Sequence, residues 1–135
     1  YEQAESLYRR AIESDPNDAN TLGNFAGFLL GIGNPSGLEI LKRVVALEST
    51  EEALQLELAF YCLAHWPEQW DAALRQTRLL IAKGVRSPGW DLTANCHQAA
   101  LQQHPQVDFL RALAQVVADN ATAETVQHFS CWQTD

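Results

Sequence analysis

The chain has 135 residues, of which 47% are hydrophobic, and its 9 basic and 17 acidic side chains give a net charge of −8. This length suits one compact domain or a short repeat array, and the apolar fraction is enough for a continuous core. The acidic balance argues against nucleic-acid binding, which needs clustered Lys and Arg, and it permits a basic partner and favours solubility. No apolar run approaches the roughly 18 residues of a membrane span, and no signal peptide opens the chain.

The cysteines and the missing methionine bear on cellular context. Cys62, Cys96 and Cys131 are odd in number and widely spaced, a pattern typical of reduced thiols rather than of a disulfide framework. We therefore expect a cytoplasmic protein. Because the chain lacks Met and begins inside a helical pattern, we also expect it to be a fragment of a longer protein.

The first predicted element is a helix over residues 1–14, followed by Pro16. Its apolar positions recur at helical spacing and form one stripe. They are Ala4, Leu7, Tyr8, Ala11 and Ile12. The stripe should pack forward onto the helix around Phe25. Its other edge lacks the helix that a neighbouring repeat would normally supply, so the pattern also predicts self-association through helix 1–14.

Turn and cap signals divide the rest of the chain into helices. The predicted helices are 19–31, 37–48, 51–65, 68–83, 88–103, 106–118 and 121–132. Residues 15–18 (DPND) end one helix and cap the next. Ser36 with Glu39 predicts a capping box, and Pro105 separates the last two long helices. No segment shows the alternation of a strand flanked by hairpin turns.

A repeat with a period near 34 residues runs through these helices. Ala26, Ala59 and Ala94 follow one another at steps of 33 and 35 residues, and each comes directly after a larger residue. A small side chain in the middle of a helix lets a second helix approach closely. Periods of this length are typical of helical-hairpin arrays.

The residues that carry this pattern resemble the tetratricopeptide repeat (TPR) family. Ala4, Tyr8, Ala11 and Pro16 match the second helix of its hairpin, and the segment ANTLGNFAGFLL resembles the next first helix. The resemblance is closest over residues 1–30 and diverges beyond about residue 60. It implies an all-α fold, a right-handed α-α superhelix of TPR-like helical hairpins with a C-terminal capping helix. The implied single domain, 1–135, comprises a half repeat 1–16, repeats 17–49, 50–86 and 87–119, and capping helix 120–133.

The same resemblance implies a function. In this family the first helix of each hairpin lines a concave groove that binds a peptide or helix of another protein. We therefore expect a protein–protein interaction module that acts as a scaffold or adaptor, neither an enzyme nor a cofactor carrier. The expected partner-binding groove consists of Asn20, Asn24, Gly27, Leu56, Glu57, Phe60 and Leu63. Its mixed apolar and acidic lining suits an amphipathic or basic segment.

Three glycines on one helix face indicate a close contact. Gly23, Gly27 and Gly31 are spaced four apart, and each costs about 1 kcal/mol of helix stability relative to Ala. They leave a smooth strip that admits either a ligand peptide or a neighbouring helix of the same chain. The sequence leaves both occupants open.

Two further classes of function stay open from the residues alone. One is a structural or self-association segment of a larger protein. The other is a metal-binding or enzymatic domain that uses Cys96, His97, His128 and Cys131, because paired Cys and His side chains bind zinc and supply nucleophiles. A separate feature is the tryptophan pair Trp66 and Trp70 around Pro67, which suits either turn packing or an aromatic anchor for a partner.

Overall fold

Helices account for all the regular structure in the computed structural model, which describes residues 2–133. The α-helices are α1 (Glu2–Ser14), α2 (Ala19–Gly31), α3 (Ser36–Ala46), α4 (Glu52–His65), α5 (Trp70–Ala82), α6 (Thr93–Leu101), α7 (Val107–Val117) and α8 (Ser130–Gln133). Short 3₁₀ turns cover Pro67–Gln69 and Ala123–Val126. The predicted all-α class is confirmed for these residues, and none of their helices is long and apolar enough to cross a bilayer. Tyr1, the first residue of the predicted helix 1–14, lies outside them.

Successive helices pack as pairs. Helix α2 packs on α3, α4 on α5, and α6 on α7, while α1 packs on α2. The α2–α3 hairpin is tight because Gly37 brings the two backbones together. A Cβ atom at this position would lie 2.8 Å from Cγ of Leu30. The packed helical pairs expected from the sequence are thus present.

The N-terminal cap predicted for α2 is observed, but the one predicted for α3 is not. Asp18 Oδ1 accepts hydrogen bonds from the backbone N–H groups of Asn20 and Thr21, at 3.1 and 3.4 Å, which caps α2 as predicted. The predicted capping box at Ser36 is wrong. Asn34 Oδ1 instead accepts from the Ser36 N–H at 3.0 Å, because Ser36 is already the first residue of the helix.

Helix α4 is the centre of the core. Every residue from Leu56 to Ala64 is buried, and the helix contacts α2, α3, α5, α6 and α7. A helix that is hydrophobic around its whole circumference is stable only when surrounded by other elements. The other helices therefore pack around α4, and its few polar groups must find partners inside the protein.

The predicted helix 88–103 is wrong at its start, since α6 begins only at Thr93. Residues 83–92 form a loop in which Gly89 has a φ of 78°, a left-handed conformation that favours glycine. The N–H groups of Ser87 and Gly89 donate to the carbonyl oxygens of Val117 and Ala118, at 2.7 and 3.2 Å. These contacts satisfy the end of α7 and hold the loop out of a helical path.

Because α6 starts late, the prediction that Ala94 is a buried packing residue like Ala26 and Ala59 is wrong. Ala26 and Ala59 are buried, at 0% and 3% exposed, but Ala94 lies in the first turn of α6 and is exposed. Its neighbour Asn95 takes the buried position, at 4% exposed. Helix α6 thereby reaches α2 as well as α4. In a linear solenoid each repeat contacts only its neighbours, so this chain is more closed.

The predicted terminal helix 121–132 is also wrong as a continuous helix. The 3₁₀ turn Ala123–Val126 is followed by the four-residue helix α8. Its apolar residues nevertheless cover the last hairpin, as the sequence indicates. Val126 is 0% exposed, and the rings of Phe129 and Trp132 lie 5.5 and 6.0 Å from the ring of Phe109.

Candidate functional site

One face of α4 carries polar groups at every fourth position, namely Glu57, Tyr61 and His65. This spacing places them above one another on a helix. Each is bonded to the segment 87–95, and we call these three contacts the polar ladder. Ser87 Oγ donates to Glu57 Oε2 at 2.5 Å, Trp90 Nε1 donates to the Tyr61 hydroxyl at 3.0 Å, and Asn95 Nδ2 lies 3.0 Å from His65 Nε2.

The Glu57 end of the ladder is a buried carboxyl group. Glu57 is 8% exposed, and burial raises its pKa, although the hydrogen bond from Ser87 opposes the shift. A buried charge needs compensation, and the Ser87 hydroxyl supplies it here. Glu57 therefore lies too deep to contact a basic partner.

The position of Tyr61 in the middle of the polar ladder explains why residue 27 is a glycine. A Cβ atom at Gly27 would lie 2.3 Å from the Tyr61 hydroxyl oxygen, which is far inside van der Waals contact. Burial also raises the Tyr61 pKa, so the phenol stays neutral and accepts from Trp90. Gly27 thus makes room for an internal side chain.

The other two glycines face the chain's own helices as well. A Cβ atom at Gly23 would lie 3.2 Å from Leu54 in α4, and one at Gly31 would lie 3.2 Å from Ala94 in α6. The glycine strip is therefore used for internal packing between helices. Of the two occupants left open by the sequence, the neighbouring helix is the one observed.

Asn95 joins three helices at the far end of the ladder. Its Nδ2 group donates to the Gly27 carbonyl oxygen at 3.1 Å, and the same NH₂ group also faces His65 Nε2. Because a carbonyl can only accept, the amide orientation is fixed, and His65 Nε2 must be the unprotonated acceptor. Burial and the nearby His104 lower the His65 pKa to about 4.

The predicted partner-binding groove is not an open surface in this structure. Leu56, Phe60 and Leu63 are each 0% exposed, and the segment 87–95 lies over the Glu57 face. At the rim, Asn20 is exposed and donates from Nδ2 to Glu51 Oε2 at 2.8 Å. Asn24 is half-buried. The structure therefore separates the buried members of the predicted groove from the two asparagines.

An open cleft lies instead where two hairpin turns meet, and we call it the turn cleft. Its volume is about 460 Å³, within the range of roughly 300–1,000 Å³ seen for ligand sites. It is lined by Ala64, His65, Pro67, Trp70, Gln102, Gln103, His104, Pro105 and Gln106. None of these nine residues is Asp, Glu, Lys or Arg.

The wall of the turn cleft is rigid. His104 Nε2 lies 2.8 Å from the Leu63 carbonyl oxygen, and its Nδ1 accepts from the Gln106 N–H at 2.9 Å. The imidazole is therefore held as the Nε2–H tautomer with both nitrogens occupied. Its ring centre lies 5.6 Å from that of Trp70, which also meets Phe109 edge-on at 6.1 Å.

Sequence reasoning singled out Trp70 in this cleft but missed His104 and the glutamines. A usable signal was present, because Trp66-Pro67 and His104-Pro105 both place a ring directly before proline. Each pair lies in the turn between the two helices of a hairpin. Two similar turns in successive hairpins come together at one end of the helices, which is how the cleft forms.

The cysteine and histidine candidates do not converge. Cys96 is buried, with Sγ 3.8 Å from the Leu110 carbonyl oxygen, and burial raises its pKa to about 11. His97 and His128 are exposed, and the His128 ring packs on Phe129. Within residues 2–133, no group of three or more His, Cys, Asp and Glu side chains is placed to share a metal ion.

A second cleft of similar volume, about 470 Å³, lies between the start of α6 and α7. It differs in chemistry, because Asp91, His97 and Arg111 contribute to its lining. The rings of Trp90 and His97 also line it, and the Trp90 indole is held by its hydrogen bond to Tyr61. The turn cleft is the uncharged one of the two, and its Trp70 and His104 rings are in direct contact.

Comparisons of the chain with protein-family models, with curated proteins and with solved structures gave no match. The candidate site is therefore interpreted from its own geometry.

Proposed function

We propose that the chain is a TPR-like scaffold that binds a segment of another protein in the turn cleft. The observation that carries this proposal is an open, uncharged cleft whose wall holds a half-buried tryptophan in a fixed position. Tryptophan is enriched among the residues that dominate protein–protein binding. TPR proteins bind partners on a concave face, but in this chain the segment 87–95 is bonded to the polar face of α4, which favours a binding surface at the turns.

The architecture belongs to the same proposal. Packed helical pairs and the step of 33 residues between the buried Ala26 and Ala59 support a right-handed superhelix of TPR-like hairpins. The contact between α2 and α6 means that this superhelix would be tightly closed. Three free cysteines support a reducing, cytoplasmic compartment for it.

Selection from a random peptide library on the intact chain tests the function. Peptides that bind the native chain should lose affinity for the Trp70→Phe variant and keep it for Trp66→Phe. Trp66 is the matched control, because it is also half-buried but contacts Lys42 outside the cleft. Peptides that bind both variants equally, or a selection that yields no binder, would overturn the proposal.

Self-association through α1 is a second candidate, favoured by one observation. Leu7 is 58% exposed at the middle of a helix that has no buried residue. A two-fold axis near Leu7 would place it against the same residue of a second copy, as in a self-complementary dimer. Light scattering should then give twice the mass of the chain, and Leu7→Lys should restore the monomer. A monomeric native chain at high concentration would exclude this candidate.

A further inference from the structure

The turn cleft has features that define the chemistry of its ligand, and the inference from them rests on the proposed function. The first feature is flat apolar walls. The Trp70 and His104 rings are tilted by 47° with centres 5.6 Å apart, and Pro67 and Pro105 border the same space. Surfaces of this kind pack against proline rings, and aromatic-lined grooves are the usual receptors for proline-rich segments.

The second feature is a set of unused amides. The side chains of Gln102, Gln103 and Gln106 make no hydrogen bond to the part of the chain that the structure describes. Each can donate from Nε2. A segment in the polyproline II conformation has no internal hydrogen bonds and exposes its carbonyl oxygens, so it offers the acceptors that these amides lack.

The third feature is the absence of charge. The nine lining residues include no carboxylate, ammonium or guanidinium group. The ring nitrogens of both histidines are engaged within the chain, because His65 Nε2 faces an amide donor and both His104 nitrogens are occupied. A charged peptide would lose hydration here without gaining a counter-charge.

We propose that the turn cleft binds a neutral, proline-containing peptide segment in the polyproline II conformation. Such a segment is already extended before binding, so it loses little conformational freedom. One turn of such a segment has three residues and is roughly 9 Å long. The rings of Trp70 and His104 contact its prolines, and the glutamine amides donate to its carbonyl oxygens.

Calorimetric titration of the full chain with blocked synthetic peptides tests this proposal. The probe is a nine-residue polyproline, and the comparison peptides are a Gly-Ser nonamer and a nonamer that alternates Pro with Glu. We expect saturable binding of polyproline with a Kd at or below about 1 mM. The Gly-Ser and Pro-Glu peptides should bind at least about tenfold more weakly. Equal binding of polyproline and the Gly-Ser peptide would overturn the proposal.

Two independent sets of variants test whether the peptide binds in the turn cleft. Trp70→Phe should weaken polyproline binding about fivefold or more, as expected for an anchor residue. The double change Gln102→Glu and Gln103→Glu removes two donors at exposed positions, so it should also weaken binding. Because it places two carboxylates at the C-terminal end of α6, it should lower the melting temperature slightly. Gln115→Glu is the control for an added carboxylate, because it places one at an exposed position in the last turn of α7, outside the cleft.

The outcomes separate this inference from the proposed function. If library peptides bind in a manner that depends on Trp70 while polyproline does not bind, the ligand class is wrong and the binding function stands. If polyproline binds but neither the Trp70 nor the glutamine variants weaken it, the cleft is not its site and the inference fails. If no peptide binds at all, both proposals fail.

Discussion

Helices α1 and α4 are almost equal in length, 13 and 14 residues, but α1 lies at the edge of the protein and α4 lies at the centre of its core. Helix α1 has no buried residue, and it is attached to α2 through Tyr8, whose ring stacks on Phe25 at 5.2 Å. Helix α4 is buried on every side. Stability should therefore be concentrated at α4 and should fall towards α1, because regions with few buried contacts open locally.

The comparison also bears on binding. A helix that presents a groove must keep one face open, whereas every residue of α4 from Leu56 to Ala64 is buried. Its polar face is bonded to the segment 87–95 through the polar ladder. In the proposed function the buried helix acts as a support, and the proposed binding surface lies at its end, in the turn cleft.

The largest predicted effect is the truncation of a side chain in the middle of α4. Phe60 is 0% exposed, so Phe60→Ala should lower the free energy of unfolding by about 3–5 kcal/mol through lost burial and a new cavity. Urea denaturation measures this change. A loss below about 1 kcal/mol would mean that α4 is not the centre of the core.

The next effect is a dependence on pH that originates at His65. Its folded pKa of about 4 lies below the ordinary 6.5, so the unfolded chain binds the proton more readily. Stability from this group is therefore fully present above pH 6.5 and is lost as the pH falls towards 4. Two to three pKa units correspond to about 2–3 kcal/mol once partial exposure is allowed for.

Urea denaturation between pH 7 and 4 measures this dependence. The native chain should lose more stability than His65→Gln, which has no titrating group at this position. His97→Gln, a change at an exposed histidine of α6, serves as the control and should behave like the native chain. Parallel profiles for the native chain and His65→Gln would contradict the assigned role of His65.

A smaller effect is expected at the glycine strip. Gly27→Ala should lower stability by about 1–3 kcal/mol, because its methyl group displaces the buried Tyr61 phenol, although alanine favours the helix. Gly23→Ala is the matched control, since its methyl group meets only terminal methyl groups of Leu54 and Leu58, at 3.2 and 3.3 Å. Thermal denaturation that ranks the two variants equally would argue against the Tyr61 contact.

The smallest effect is expected on α1. Leu7 is 58% exposed, so Leu7→Ala should change the free energy of unfolding by no more than about 0.5 kcal/mol at low protein concentration. Urea denaturation checks this value. A loss comparable to that of Phe60→Ala would remove the contrast between the two helices.

The parts of the fold that were predictable from the sequence depend on local signals. Helix α2 has the predicted bounds because Asp18 caps its start and Gly33, with a φ of 80°, turns the chain just after its end. The start of α6 was not predictable, since Pro88 is a typical helix-start signal and is overridden by hydrogen bonds from Ser87 and Gly89 to the distant end of α7.

The candidate site was less predictable than the fold. Each contact of the polar ladder joins residues about 30 positions apart, and no local pattern indicates which polar groups will pair. The expected groove placed Glu57 on a surface, but its serine partner lies in the following loop. Trp70 was recognisable as a possible anchor, whereas the role of His104 depends on a carbonyl of α4.

Amide hydrogen exchange of Ser87 and Gly89 tests most directly whether the segment 87–95 stays packed over the polar face of α4. Both amides lie in a loop, yet both donate to the end of α7. The structure predicts that they exchange as slowly as the amides within α7. Exchange at the rate of an open loop would show that the segment is not held at the end of α7, which would contradict its place over the polar face of α4.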